Sequence, residues 1–175
     1  YHPTTRSTMS VTEEIDQVLL ALENFSYCTI VFTGVNADPG NAELSSQIEK
    51  FVQRDLKLRS LHESLGQSRY LSLLNLCDAV VGNSSSGIIE APAFGKPTIN
   101  IGNRQDGRLR ANSIIDVGVT KQEIQTAIET TLSPNWRERC AQTVSSYKSS
   151  NTAQRIADTL KNADLNLHKT FFDIS

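Results

Sequence analysis

Asn83, Ser84, Ser85, Ser86 and Gly87 set three consecutive hydroxyls on a turn flanked by Gly82 and Gly87. The preceding residues 79–82, Ala-Val-Val-Gly, read as a strand, and Ile88-Ile89-Glu90-Ala91 read as the opening of a helix. A helix start carries unpaired backbone N–H groups and the positive end of the dipole, and serine hydroxyls add short donors. An anion such as a diphosphate fits there, with the two glycines letting the backbone approach closely. The same serines serve equally as helix N-caps, and residue type alone leaves both readings open. Glu90, read as lying one turn into that helix, either accepts from the ribose hydroxyls of a nucleotide or pairs with the helix dipole. Downstream, Gly102 to Arg110 contain Arg104, Arg108 and Arg110. Planar, multi-donor guanidinium groups clamp phosphate oxygens, although a solvated loop has the same composition. Arg104 is the one expected to make a direct contact.

The elements that must position these groups alternate. Ser10 and Glu13 form a capping-box signal, and Ile15, Val18, Leu19 and Leu22 then recur at helical spacing until Phe25. Cys28 to Thr33 is apolar and β-rich, as suits a strand covered on both faces. A second amphipathic helix carries Leu44, Ile48, Phe51 and Val52. A strand is expected over 56–61, a helix over 70–76, a strand over 79–82, a helix over 87–94 framed by Pro92 and Pro97, and a strand over 98–101. Another short strand is expected over 113–117. Thr120 and Glu123 repeat the capping-box signal before a helix through Ile124, Ala127, Ile128 and Leu132. Helices over 136–144 and 152–160 and a terminal tail over 165–175 complete the reading.

Steady strand–helix alternation predicts an α/β fold, a three-layer Rossmann-like, doubly wound parallel sheet. Ligands of such sheets bind beyond the carboxyl ends of the strands, which is where the serine turn and the arginine segment fall.

With 175 residues, 38% hydrophobic and 21% charged, the chain reads as a single domain, residues 1–175. The 17 basic and 19 acidic side chains are dispersed and give a net charge of −2, so nucleic acid is not an expected partner. No apolar run approaches the roughly 20 residues needed to span a bilayer, and no export pattern is seen, so no membrane partner and a cytoplasmic location are expected. Cys28, Cys77 and Cys140 are far apart and form no ligand cluster, which predicts apolar packing and no metal. No cofactor is expected. Tyr1 in place of an initiator Met predicts a chain cut from a longer protein.

Residues 82–92 (Gly-Asn-Ser-Ser-Ser-Gly-Ile-Ile-Glu-Ala-Pro), 94–102 (Phe-Gly-Lys-Pro-Thr-Ile-Asn-Ile-Gly), Arg104-Gln105 and Gly107-Arg108 closely resemble the hydrolysing UDP-N-acetylglucosamine 2-epimerases. The opening His2-Pro3-Thr4-Thr5, the loop Asn36 to Gly40 and the end Lys169 to Ile174 resemble that family in the same order. The resemblance covers essentially the whole chain. It implies the second, carboxyl-terminal half of a glycosyltransferase-B-like two-domain fold, with a UDP-sugar in the cleft between the halves. By matching motifs, Ser84 and Ser85 hold the diphosphate, Glu90 the ribose and Arg104 the nucleotide. The loop at Leu65 meets uracil through its backbone, Asn36 reaches the same pocket, and His2 faces the sugar and diphosphate as a catalytic group. The family reaction passes through 2-acetamidoglucal to N-acetylmannosamine and UDP, supplying sialic-acid or related nonulosonic-acid synthesis. Its proton-transferring carboxylates belong to an amino-terminal domain that this chain lacks, so the isolated domain is expected to be inactive. That domain, a UDP-sugar substrate and a second copy of the chain in a homo-oligomer are the expected partners. A non-hydrolysing epimerase, a non-catalytic nucleotide-sugar module and a glycosyltransferase half are the alternatives. His62 and His168 read as surface or structural.

Overall fold

A computed structural model describes residues 1–4, 9–34, 41–148 and 150–163. The loop containing Asn36, the end segment 169–174 and His168 lie outside the described residues.

Helix α1 (Val11–Leu22) begins as expected. Ser10 accepts from the Glu13 backbone and the Glu13 carboxylate accepts from the Ser10 N–H, closing the capping box. A 3-10 turn over Glu23–Phe25 extends it. The helix buries Ile15, Val18, Leu19 and Leu22, which share one core with Leu44, Ile48 and Phe51 of α2 (Asn41–Gln53) and Ile124 and Ile128 of α5 (Lys121–Leu132). The half-buried Tyr1 ring packs against this core, and its phenol donates to the buried Glu14 at 2.8 Å. Burial, reinforced by that carboxylate, pushes the phenol far above its ordinary pKa.

Among the described residues, five strands form two sheets with parallel pairing within each. Strand β1 (Ile30–Thr33) pairs with β2 (Arg59–His62). Strands β3 (Val80–Gly82), β4 (Thr98–Ile101) and β5 (Ile114–Val117) pair in the order β3-β4-β5, with Gly82, Asn100 and Asp116 in one row at their carboxyl ends. Successive side chains of a strand face opposite ways. In β4, Ile99 and Ile101 join the core beneath α1 and α5, while Thr98 on the other face donates to the Gly87 carbonyl of α4 (Ser85–Ile89) at 2.8 Å. The central strand is therefore covered on both faces, as its apolar sequence requires. The remaining helices are α3 (Gly66–Leu76), α6 (Pro134–Ala141) and α7 (Thr152–Asn162).

Three departures from the sequence reading have physical causes. Strand β2 begins at Arg59, not Leu56, because the Asp55 carboxylate accepts from the Lys57 and Leu58 N–H groups and holds a turn there, leaving Leu56 68% exposed. Helix α3 begins at Gly66, four residues early, through a polar first turn that carries no apolar period. The single helix expected over 87–94 is two pieces: α4 ends at Ile89, with Glu90 its C-cap, and a 3-10 turn covers Ala91–Phe94. Pro92 has no N–H to continue an α-helical ladder, and Gly95 closes the turn in the left-handed conformation, φ 65°.

Cys140 is buried, Cys28 and Cys77 are half-buried, and burial raises the pKa of all three thiols. Among the described residues no helix is long and apolar enough to cross a membrane, and no cluster of His, Cys, Asp and Glu is arranged to hold a metal.

Candidate functional site

The serine turn sits directly beyond the carboxyl end of β3. Gly82 leaves the strand at φ 144°, a conformation that favours glycine. Ser84 is the N-cap of α4, its hydroxyl oxygen accepting from the Ser86 N–H at 3.4 Å. The capping reading of the serines therefore holds for Ser84, and its own O–H stays available as a donor. Ser85 opens the helix half-buried, and Ser86 shares a short hydrogen bond with the Tyr70 phenol of α3. Gly87 is where close approach is needed: a Cβ there would lie 2.7 Å from the Thr98 methyl.

Asn83 organises the surroundings. Its side chain is fully buried and bonds the backbone of His2 twice, accepting from the N–H at 2.7 Å and donating to the carbonyl at 2.8 Å, with Thr4 Oγ1 a third partner at 3.4 Å. Its backbone carbonyl accepts from Arg104 Nη1 at 3.2 Å and from Gln105 Nε2 at 2.8 Å. One residue thus joins the His2 segment, the serine turn and the arginine loop, which are remote in sequence. Gln105 is 2% exposed, whereas Arg104 is exposed and keeps donors free for an anion.

The other expected residues fall as follows. Glu90 is the C-cap of α4, not a first-turn residue. At that end a carboxylate gains nothing from the helix dipole, so the dipole-partner reading fails. It lies close enough to Tyr70 to act on its phenol, whose pKa is raised by burial first and by Glu90 in smaller part, against the lowering effect of the Ser86 bond. Leu65 is the N-cap residue of α3, half-buried, immediately after the loop that leaves β2. The Tyr70–Ser86 bond ties that helix to the serine turn. Asn36 lies outside the described residues. The three arginines do not act alike: Arg110 is consumed by the protein, with Nε 3.0 Å from both Asp116 oxygens and Nη1 on the carbonyls of Gln105 and Arg108. Tyr70, Gln105 and the side chain of Asn83 were not expected at the site. Their partners are 16 or more residues away in the chain, and no local pattern marks such pairings.

Residues 1–161 match the family described as UDP-N-acetylglucosamine 2-epimerase, and the chain belongs to that family. It is 34% identical over 99% of its length to a Campylobacter jejuni protein named GDP/UDP-N,N'-diacetylbacillosamine 2-epimerase (hydrolyzing), covering 46% of that protein. It is 41% identical over 71% of its length to a polysialic acid biosynthesis protein of Escherichia coli, covering 32% of it. Among solved structures it resembles a Methanocaldococcus jannaschii UDP-GlcNAc 2-epimerase in complex with UDP-GlcNAc and UDP, with TM-score 0.67, 16% identity, and coverage of 87% of this chain and 41% of that one. The fold is the Rossmann-like α/β arrangement of those epimerases, and the chain spans less than half the length of these relatives.

Proposed function

We propose that this chain is the carboxyl-terminal, UDP-binding half of a hydrolysing UDP-N-acetylglucosamine 2-epimerase, which forms N-acetylmannosamine and UDP for sialic-acid or related nonulosonic-acid synthesis. The observation that carries the reading is the convergence on Asn83 of the His2 segment and the Arg104-Gln105 loop, beside the serine turn. Family membership and relatives named as hydrolysing enzymes support it.

In this reading Ser84 and Ser85 donate to the diphosphate, and Arg104 adds a charge-assisted bond. Glu90 accepts from the ribose, the backbone at Leu65 meets uracil, and Asn36 reaches the same pocket. His2, beside the diphosphate, stabilises the leaving UDP as its bond to C1 breaks. A base removes the C2 proton as UDP departs, giving 2-acetamidoglucal. Water then adds across the double bond, oxygen to C1 and hydrogen to C2 on the opposite face. The proton-transferring groups come from the amino-terminal domain, so this half alone holds nucleotide without turnover.

The full-length protein incubated with UDP-N-acetylglucosamine is expected to release free N-acetylmannosamine and UDP. UDP-N-acetylmannosamine as product would identify a non-hydrolysing enzyme instead. Transfer to an added acceptor without free hexosamine would identify a glycosyltransferase. The similarity to the Campylobacter jejuni protein favours a second reading of the sugar, a 2,4-diacetamido substrate, and comparing turnover of the two UDP-sugars decides between them.

A further inference from the structure

The connection from β4 to β5 is unusual for a parallel pair. Such crossovers are ordinarily helical, because a helix satisfies its own backbone while it returns the chain to the other end of the sheet. Here residues 102–113 make the return as an irregular loop with a turn over residues 104–107. A loop of this kind has no internal ladder to hold its shape, yet it must keep Arg104 and Gln105 on the Asn83 carbonyl.

Arg110 supplies the missing restraint. Its Nη1 donates to the carbonyls of Gln105 at 2.9 Å and Arg108 at 2.8 Å, closing the loop on itself. Its Nε is 3.0 Å from both carboxylate oxygens of Asp116 on β5, and Asp106 lies 4.0 Å from Nη2. Asp116 is fixed in turn by the nearly fully buried Asn100 of β4, whose Nδ2 donates to Oδ1 at 2.6 Å. The series of bonds therefore runs from the floor of the sheet through Arg110 to the Gln105 backbone, and through the Gln105 side chain to Asn83. The Arg110 side chain is 25% exposed and that of Asp116 51%, so the Coulombic part is screened. Its planar set of donors, reaching one carboxylate and two carbonyls at once, is what no lysine reproduces.

We propose that Arg110, anchored by Asp116, is a positioning residue of the nucleotide site, acting through Arg104 and Gln105 without touching the ligand. The proposal rests on the reading of the serine turn as the UDP site. UDP binding to the full-length protein is measured by calorimetry for the wild type, Arg110→Met, Arg104→Ala and the double variant, with Arg110→Lys and Asp116→Asn alongside. Arg110→Met is expected to weaken UDP by roughly tenfold, in the range of coupled network residues, and to cost little more once Arg104 is gone. Arg110→Lys should recover only part of the loss, and it and Asp116→Asn carry the same comparison if Arg110→Met fails to fold. A wild-type protein that binds no UDP overturns the site reading and this inference with it. Normal UDP binding with unchanged affinity in the Arg110 and Asp116 variants overturns the inference alone. So does a loss that adds fully to that of Arg104→Ala, because a general loosening of the fold would be independent of Arg104.

Discussion

The two ends of the β3-β4-β5 ladder are built differently. At the amino ends, a cavity of about 580 Å³ opens between Cys77, Asp78, Lys96, Arg137 and Lys148. The ion pair there, Arg137–Asp78 at 3.1 Å, joins side chains that are 48% and 66% exposed. At the carboxyl ends, buried polar groups are cross-linked: Asn83, Asn100 and Gln105 are each at most 2% exposed and each bonds another part of the chain. That hollow is thus lined by solvated, loosely held charges. Orientation separates the two ends, since a buried polar group has one geometry while a surface charge has many.

Substitutions at the two ends test that contrast, the largest effect first. Asn83→Ala removes both His2 bonds and is expected to cost roughly 3 kcal/mol in chemical unfolding, because two part-buried partner groups lose their bonds at once. A loss below about 1 kcal/mol would mean that the His2 segment is held by other contacts. Gly87→Ala forces a Cβ against the Thr98 methyl, whose rotation is opposed by the Thr98 bond to the Gly87 carbonyl. About 2 kcal/mol of destabilisation is expected from such overpacking, read as a lowered melting temperature. Ser84→Ala with Ser85→Ala should weaken UDP binding by about tenfold or more, the size of a lost bond to a charged group, and unchanged affinity in calorimetry sinks their assignment. At the opposite end, Arg137→Ala is expected to change stability by less than about 1 kcal/mol and leave UDP affinity where it was. A marked fall in affinity there would erase the distinction between the two ends.

Local signals in the sequence were legible wherever the structure satisfies itself locally. The Ser10–Glu13 box forms as read, Thr120 accepts from the Glu123 N–H as its motif predicts, and the apolar run Thr98–Ile101 is a strand over those same residues. The serine turn was legible for the same reason, since strand, turn and helix start are contiguous. What could not be read was the use of side chains across distance. Three arginines in a glycine-flanked loop look alike in sequence, but only the fold sends Arg104 to Asn83 and ties Arg110 to Asp116. Glu90 departs from the sequence reading for a subtler reason: Pro92 looks like the frame of a helix over 87–94, whereas the α-helix has already ended at Ile89 and Pro92 lies in the 3-10 turn that follows.

Asn83 binds residue 2 through its main-chain N–H and carbonyl. That pattern copies what a neighbouring strand would offer, and it holds the backbone without reading the side chain. Exchanging the imidazole at position 2 for another group therefore leaves these two main-chain bonds in place. Replacing His2 becomes a chemical probe of the ring, because the amide groups that fasten its backbone to Asn83 are ones the substitution does not alter.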